Sequence, residues 1–136
     1  DIGSLLYSQR YPFQLLFCRQ AKKGERRSLA RNRGIDMTSG EVIVFLDDDC
    51  LPSPDFISSH IRNHQKVGSG AFVVGARHRI LGHHNALNYL KQGSLEKSND
   101  PRFADGYASY TSKPSWYSAY SCHLSVSREI AMLAFG

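Results

Sequence analysis

A short apolar run that ends in three carboxylates constrains the fold of this chain more than any other feature. Val42–Leu46 (VIVFL) is followed at once by Asp47, Asp48 and Asp49. An uninterrupted apolar run of this length is typical of a strand buried on both faces of a sheet. The acids then lie at the carboxyl end of the strand, the edge at which open α/β sheets bind their ligands.

The three adjacent acids indicate a metal ion and a phosphorylated substrate. Like charges repel, and a divalent cation would relieve the repulsion, since carboxylates suit hard ions such as Mg²⁺ or Mn²⁺. Mg²⁺ usually binds through one or two carboxylates together with substrate phosphates. The alternative is an acidic turn that caps the next helix, for which Ser53 and Asp55 would already suffice.

The positive charge of the chain is concentrated just upstream of these acids. The basic segment Arg19–Arg33 holds seven Lys or Arg residues and one acid, a net +6, whereas the whole chain carries +5. A local excess indicates a local anion, and a helix predicted to open at Gly24 adds an N-terminus that favours phosphate. We interpret the segment as a diphosphate clamp. The alternatives are a solvated helix face and a nucleic-acid surface, although the nearby acids would repel a DNA backbone.

Alternating strand and helix patterns predict an α/β fold with a mainly parallel sheet. The predicted strands are Phe13–Arg19, Val42–Asp47, Gly70–Ala76 and Tyr117–Val126. The predicted helices are Gly24–Met37, Pro54–Val67, Asn85–Lys97 and Arg128–Phe135, with a polar loop at Ser98–Pro114. The predicted helix Pro54–Val67 has an apolar stripe that consists of Ile57, Ile61, His64 and Val67.

Histidines and cysteines give no metal or disulfide framework. His60 and His64 could share a helix face, but no third ligand has suitable spacing and no H-E-x-x-H motif is present, so both are predicted at the surface. Cys18, Cys50 and Cys122 are odd in number and lack a C-x-x-C spacing, which indicates reduced thiols in the cytoplasm. No apolar run approaches a membrane span, and no signal peptide is recognisable. Membrane association of a full-length protein stays open.

The motifs from Gly24 to Phe56 resemble the core of the family 2 inverting glycosyltransferases, which have the GT-A fold. That family carries Ala-Arg-Asn-x-Gly on a helix, then Gly-Glu, then a strand ending in Asp-x-Asp, then a proline. The matching residues here are Ala30, Arg31, Asn32, Gly34, Gly40, Glu41, Asp47, Asp49 and Pro54. Pro114–Arg128 resembles the acceptor-side segment, with His123 where Asn is usual. Asp1–Ser4 resembles an Asp-Asp-Gly-Ser turn, with Ile2 replacing an acid.

The resemblance implies a partial, Rossmann-like GT-A domain over residues 1–136, binding a nucleotide-sugar through a mainly parallel sheet with flanking helices. It implies metal-dependent transfer of a sugar, with inversion, from a nucleotide-diphosphate donor that is UDP-linked by family habit. The acceptor would be a carbohydrate or lipid-linked molecule in carbohydrate biosynthesis, and no nucleic acid is expected. The first strand–helix unit and the segment with the catalytic base are expected to be absent, which leaves an exposed sheet edge for homo-oligomers.

The same resemblance assigns residue roles. Metal contact is expected at Asp49, assisted by Asp47. The nucleotide-sugar would be bound by Asp1, Arg27, Arg31, Asn32, Asp47 and Asp48. The acceptor side would include Trp116 and His123. The catalytic base is unknown, and the remaining candidates are Asp100, Asp105 and His123. Two other functions stay open: a nucleotidyltransferase, and a non-catalytic or inactive nucleotide-binding remnant.

Overall fold

The computed structural model describes residues 2–21, 24, 26–76, 119 and 122–135. Backbone contacts divide the chain into two compact units, Asp1–Ser39 and Gly40–Gly136. Each unit is described by itself. None of the helices in the described ranges is long and apolar enough to cross a membrane.

The first unit contains two helices joined by an irregular segment. Helix α1 spans Ile2–Tyr7 and helix α2 spans Arg27–Met37. The strand predicted at residues 13–19 is wrong, because none of the described residues forms a ladder with this segment. The irregular segment is hydrogen-bonded to α1, since the N–H of Phe17 donates to the Tyr7 hydroxyl at 3.2 Å. The turn predicted from Gly3 and Ser4 is also wrong, since both lie within α1.

Helix α2 begins at Arg27, not at Gly24 as predicted. Gly24 has a φ of +72°, a left-handed conformation that glycine adopts without strain, so it belongs to the preceding loop. Ile35 is the one buried residue of the helix. The helix ends at Thr38, whose hydroxyl donates to the Ile35 carbonyl oxygen at 3.1 Å. Of the basic residues of α2, Arg27 and Arg33 are exposed and Arg31 is half-buried.

The described part of the second unit forms a three-stranded sheet in the order β1-β3-β2. Its strands are β1, Val42–Leu46; β2, Phe72–Val74; and β3, His123–Ser127. Strand β3 lies between the other two and pairs antiparallel with both, setting Leu46 opposite His123 and Phe72 opposite Val126. The prediction of a mainly parallel sheet is wrong for these strands, because β3 enters the sheet from the far end of the sequence and runs against both neighbours.

Two helices pack with this sheet. Helix α3 spans Phe56–Val67 and joins β1 to β2, whereas α4 spans Arg128–Phe135 and follows β3 without a loop. Val126 and Ala131 have no exposed surface and form the centre of the core. Ser127 organises the junction, since its hydroxyl donates to the Ser69 carbonyl oxygen at 2.7 Å and accepts from the Ile130 N–H at 3.4 Å.

The predicted elements of this unit are present with shifted ends, and α4 matches its prediction. The predicted strand at residues 70–76 shortens to β2, the one predicted at residues 117–126 becomes β3, and α3 starts two residues after Pro54. The predicted helix at residues 85–97 and the predicted loop at residues 98–114 lie outside the described residues.

The apolar stripe predicted for α3 is wrong except at His64. Ile57, Ile61 and Val67 are 54%, 43% and 57% exposed. The buried face instead carries Phe56, His60 and His64. These three residues are spaced by four positions, which is also a helical stripe. The predicted stripe included His64 but followed the aliphatic residues beside it, whereas the buried face follows Phe56 and His60.

Candidate functional site: an acid turn at the end of β1

Strand β1 places the three acids at the end of the sheet, as the sequence predicts. The strand ends at Leu46; Asp47 is half-buried, and Asp48 and Asp49 are exposed. The N–H of Cys50 donates to the Asp47 carbonyl oxygen at 3.1 Å, which closes a tight turn. We call residues 47–50 the acid turn.

The donor set of the acid turn fits a hard divalent cation, since carboxylate oxygens are the ligands that Mg²⁺ and Mn²⁺ prefer. Among the described residues, no group of three or more His, Cys, Asp or Glu is placed to hold a metal ion. Mg²⁺ does not need such a cage, because it usually keeps several waters and binds one or two carboxylates together with substrate phosphates. The turn could therefore contribute part of a shell that a phosphorylated ligand completes.

Cys50 closes the acid turn. Its thiol donates to Asp49 Oδ1 at 3.7 Å. Burial, followed by the negative charge of Asp49, raises the pKa of Cys50. The Cys50 side chain is therefore a hydrogen-bond donor within the turn.

Residues after the acid turn organise the start of α3. The hydroxyls of Ser53 and Ser59 donate to the two carboxylate oxygens of Asp55 at 2.7 and 3.0 Å. The bond from Ser53, and then that from Ser59, lowers the pKa of Asp55. Asp55 is the residue directly before α3, and its carboxylate accepts hydrogen bonds from these two hydroxyls and caps no backbone N–H of the helix.

The basic residues predicted to bind a diphosphate lie in the first unit, at the start of α2. Arg27 is exposed, and Arg31 and Asn32 are half-buried one turn later. An open hollow of about 520 Å³ is lined by Arg26, Arg27, Ser28, Leu29 and Arg31. Guanidinium groups around a helix N-terminus can bind an anion through both their charge and the backbone N–H groups.

A buried histidine cluster in the second unit was not predicted. His60 Nδ1 and His64 Nε2 both hydrogen-bond Ser125 Oγ, at 2.7 and 2.9 Å. His60 is 2% exposed, His64 8% and Ser125 not at all. The predicted surface positions of the two histidines are therefore wrong. The central strand supplies a hydroxyl that meets one nitrogen of each ring, and buried polar groups need such partners.

His123 joins this cluster and also lies at the acid end of the sheet. Its ring contacts those of His60 and Phe56, with centroid distances of 5.0 and 4.8 Å. His123 Nδ1 lies 3.0 Å from the Ala76 carbonyl oxygen, and because a carbonyl only accepts, Nδ1 carries the hydrogen. The ring also covers Gly75, where a Cβ atom would collide with it. His123 is opposite Leu46, one step from Asp47.

Burial keeps His60 neutral. Loss of solvent, followed by the charges of His123 and His64, lowers the pKa of His60 to about 4. Two sequence signals could have revealed the cluster: the four-residue spacing of Phe56, His60 and His64, and the polar composition of the central strand, HLSVS.

A sequence profile of glycosyl transferase family 2 matches residues 6–119. The chain belongs to this family. The match includes α2, β1, the acid turn and α3, and it confirms the predicted family membership. No curated protein and no solved structure matches the chain.

Family 2 membership implies glycosyl transfer between a nucleotide-sugar donor and an acceptor, within a Rossmann-like α/β fold of the GT-A type. The family profile ends before β3 and α4, so the histidine cluster rests partly on residues beyond the match. The predicted positions Asp1, Asp100, Asp105 and Trp116 lie outside the described residues. One end of the second unit's sheet carries the acids Asp47, Asp48 and Asp49 together with His123.

Proposed function

We propose that the chain binds a uridine diphosphate sugar together with Mg²⁺ or Mn²⁺ and transfers the sugar, with inversion, to a hydroxyl group of a carbohydrate or lipid-linked acceptor. The observation that carries the proposal is the acid turn at the end of β1, inside the residues matched by family 2. A strand end with exposed carboxylates is suited to a phosphate-bound cation, because open α/β sheets bind ligands at that edge.

Asp49 and Asp47 would hold the metal ion. Asp49 is exposed, and its carboxylate accepts a long hydrogen bond from the Cys50 thiol. Asp47 is half-buried at the strand end, a position suited to the ribose or to the second metal contact. When bound, the ion would supply positive charge that neutralises the departing nucleoside diphosphate.

Arg27 and Arg31 would bind the diphosphate. Support comes from the hollow that they line and from the start of α2, where backbone N–H groups have no helical partner. Asn32 follows directly on the same helix and would orient the ligand. Each guanidinium can donate two parallel hydrogen bonds to phosphate oxygens.

Inverting transfer needs a base for the acceptor hydroxyl. Among the described residues His123 is the candidate, because its Nδ1–H is committed to Ala76 and the neutral ring then carries its lone pair on Nε2. Asp100 and Asp105 stay base candidates from the sequence, and Trp116 stays a candidate for the acceptor side.

Product analysis tests the proposal. The chain is incubated with UDP-sugars, Mn²⁺ and a mixture of hydroxyl acceptors, and released UDP and pyrophosphate are measured. Sugar transfer with UDP release is expected. Pyrophosphate release would indicate the nucleotidyltransferase instead, and Mn²⁺-dependent binding of UDP without turnover would indicate the non-catalytic module. Absence of both binding and turnover, in a chain that melts cooperatively, would contradict all three.

A further inference from the structure

One serine hydroxyl lies in the hollow at the start of α2 and has no part in the proposed reaction. Ser28 is exposed, and it lines this open hollow together with Arg26, Arg27, Leu29 and Arg31. We call the space between these five residues the arginine hollow. Its three charged side chains are all positive, and the first turn of α2 contains no acidic residue. No residue that lines the hollow would therefore repel a negative group on the serine.

The arginine hollow has room for a phosphate on Ser28. Its volume is about 520 Å³. A phosphoryl group adds one phosphorus and three oxygen atoms, and an oxygen with its surroundings takes roughly the 30 Å³ that a water molecule occupies in the liquid. The hollow can therefore hold the phosphate together with several waters, so the guanidinium groups can reach it without a change of the backbone.

The residues that line the hollow also form the start of α2, where backbone donors lack helical acceptors. The first hydrogen bond of the helix runs from the Ala30 N–H to the Arg26 carbonyl oxygen at 3.0 Å. The N–H groups of Ser28 and Leu29 come before it and have no acceptor one turn earlier in the helix. Arg26 provides no side-chain cap. These donors would add to the three guanidinium groups in binding a phosphate.

Another exposed serine, Ser58 on α3, lacks this environment. Its hydroxyl donates to the Asp55 carbonyl oxygen at 3.0 Å. No Lys or Arg lies within three residues of it in the sequence, and the Asp55 carboxylate is three residues away. A phosphate there would face a like charge, which is unfavourable. Exposure alone therefore does not distinguish Ser28, whereas its arginines do.

We propose that Ser28 is a phosphorylation site and that its phosphate occupies the arginine hollow. The phosphoryl donor is ATP, and the catalyst is a serine kinase that selects acceptors flanked by arginine. Arg26 and Arg27 directly precede the serine and Arg31 follows it, and kinases use such charge patterns to select substrates. A phosphoserine carries a charge of about −1.5 to −2, and opposite arginines it forms about one to three charge-assisted hydrogen bonds.

Atoms and charges balance in the transfer. Ser28 Oγ attacks the γ-phosphorus of ATP, and the new O–P bond forms as the bond to the β–γ bridging oxygen breaks. ADP leaves with that electron pair, and the serine proton passes to the base of the kinase. A phosphatase reverses the modification by hydrolysis, which returns the hydroxyl and releases inorganic phosphate.

Phosphorylation would switch off nucleotide-sugar binding, a consequence that rests on the proposed function. Arg27 and Arg31 are the residues proposed to bind the diphosphate, and a phosphate on Ser28 would take the same donors. Its negative charge would also repel an incoming diphosphate. The modified chain would therefore regain its affinity for the donor only after dephosphorylation.

Kinase treatment of the full chain tests the site. The chain is incubated with ATP, Mg²⁺ and the catalytic domain of protein kinase C, an arginine-directed serine kinase, and is then analysed by tandem mass spectrometry. We expect one HPO₃ group on Ser28 and none on Ser58. A chain without phosphate on Ser28, whether unmodified or modified only at other residues, would overturn the assignment.

Phosphorus NMR tests where the phosphate lies. Positive groups beside it favour the doubly charged form, so the second pKa of the phosphate should be lower in the folded chain than in the same chain unfolded by urea. We expect a difference of at least about half a pH unit. Equal pKa values in the folded and unfolded chain would place the phosphate outside the arginine hollow and overturn that part of the proposal.

UDP titrations with Mn²⁺ on the unmodified and phosphorylated chain test the consequence separately. We expect at least about tenfold weaker binding after phosphorylation, equivalent to 1.4 kcal/mol, and recovery after phosphatase treatment. Kinase treatment of Ser28→Ala should leave the UDP affinity of that variant unchanged. Equal binding by the two forms of the chain would overturn the competition. An unmodified chain that binds no UDP would contradict the proposed function and leave the mass and NMR results standing.

Discussion

His60 Nδ1 lies 2.7 Å from Ser125 Oγ at a site that solvent hardly reaches. The same hydroxyl meets His64 Nε2 at 2.9 Å. Because Ser125 has one proton, it donates to one ring and must accept an N–H from the other, so the two rings have the same tautomer, either both Nε2–H or both Nδ1–H. The far nitrogens, His60 Nε2 and His64 Nδ1, are buried and have no hydrogen-bond partner among the described residues. Either arrangement therefore leaves one N–H and one lone pair unsatisfied.

Acid should destabilise the second unit through His60. Its pKa is about 4 in the folded chain against an ordinary 6.5, so between these values the unfolded chain takes up a proton that the folded chain refuses. The stabilisation is present above pH 6.5 and is lost as the pH falls towards 4, by about 1–3 kcal/mol. Urea unfolding across this range measures it. His60→Leu should flatten the dependence, and an unchanged slope in that variant would contradict the assignment.

Removing the shared hydroxyl should cost more stability than its size suggests. Ser125→Ala leaves His60 Nδ1 and His64 Nε2 without their partner in a buried site, a loss of about 1–3 kcal/mol. The matched control is Ser58→Ala, at an exposed hydroxyl of α3 that bonds the Asp55 carbonyl oxygen; it should change the free energy of unfolding by less than about 0.5 kcal/mol. Equal urea midpoints for the two variants would count against the network.

Asp49→Ala should weaken Mn²⁺-dependent UDP binding by at least about tenfold, equivalent to 1.4 kcal/mol. The reason is the loss of the expected first metal contact. Asp48→Ala should have a smaller effect, and Glu129→Ala, an exposed carboxylate on α4, none. Calorimetric titrations of the wild type and the three variants with UDP, with and without Mn²⁺, test this prediction. Equal heats throughout would remove the acid turn from consideration.

Arg27→Ala and Arg31→Ala should each weaken UDP binding, whereas Arg62→Ala, which removes the same charge from an exposed site on α3, should not. A lost hydrogen-bonded contact to a charged group corresponds to about 1.5–3 kcal/mol, or roughly ten- to a hundredfold. Duplex DNA provides the counter-test. Micromolar, salt-sensitive DNA binding that nucleotide does not displace would favour the nucleic-acid alternative.

Gly75→Ala should disturb His123. A Cβ at position 75 collides with the imidazole ring, whereas one at Gly70 meets nothing within 4 Å. Overpacking of this kind costs about 1–3 kcal/mol. Thermal unfolding should show a lower melting temperature for Gly75→Ala than for Gly70→Ala. Identical melting curves would mean that the ring moves aside freely.

Local sequence signals predicted the elements better than their arrangement. Strand β1, the three acids after it and the Arg128 helix were predicted correctly, because each depends on a few neighbouring residues. The prediction that β1 is buried on both faces is wrong, since Ile43 is its one buried residue and Leu46 is 40% exposed. The direction of β3 could not be predicted from the sequence. Its partner β1 lies some eighty residues earlier, and strand pairing over such a separation leaves no local sequence pattern.

The candidate site was also predicted only in part. The sequence placed the three acids at the end of the strand, but it did not predict the turn that the Cys50 N–H closes directly after Leu46. The histidine face of α3 escaped prediction because its partner is a serine on a strand distant in sequence. The helical periodicity of apolar residues does not predict a hydrogen bond between a hydroxyl and two imidazole rings.

One shared hydroxyl also constrains how this chain can evolve. A substitution of Ser125 alone leaves two imidazole rings without this hydrogen-bond partner. A substitution of His60 or His64 alone leaves the Ser125 hydroxyl with a single partner. Replacing all of them by apolar residues of matching volume can be nearly neutral, because no polar group is then left unpaired. We therefore expect coupled substitution at positions 60, 64 and 125. Related chains should have polar residues at all three positions or apolar residues at all three.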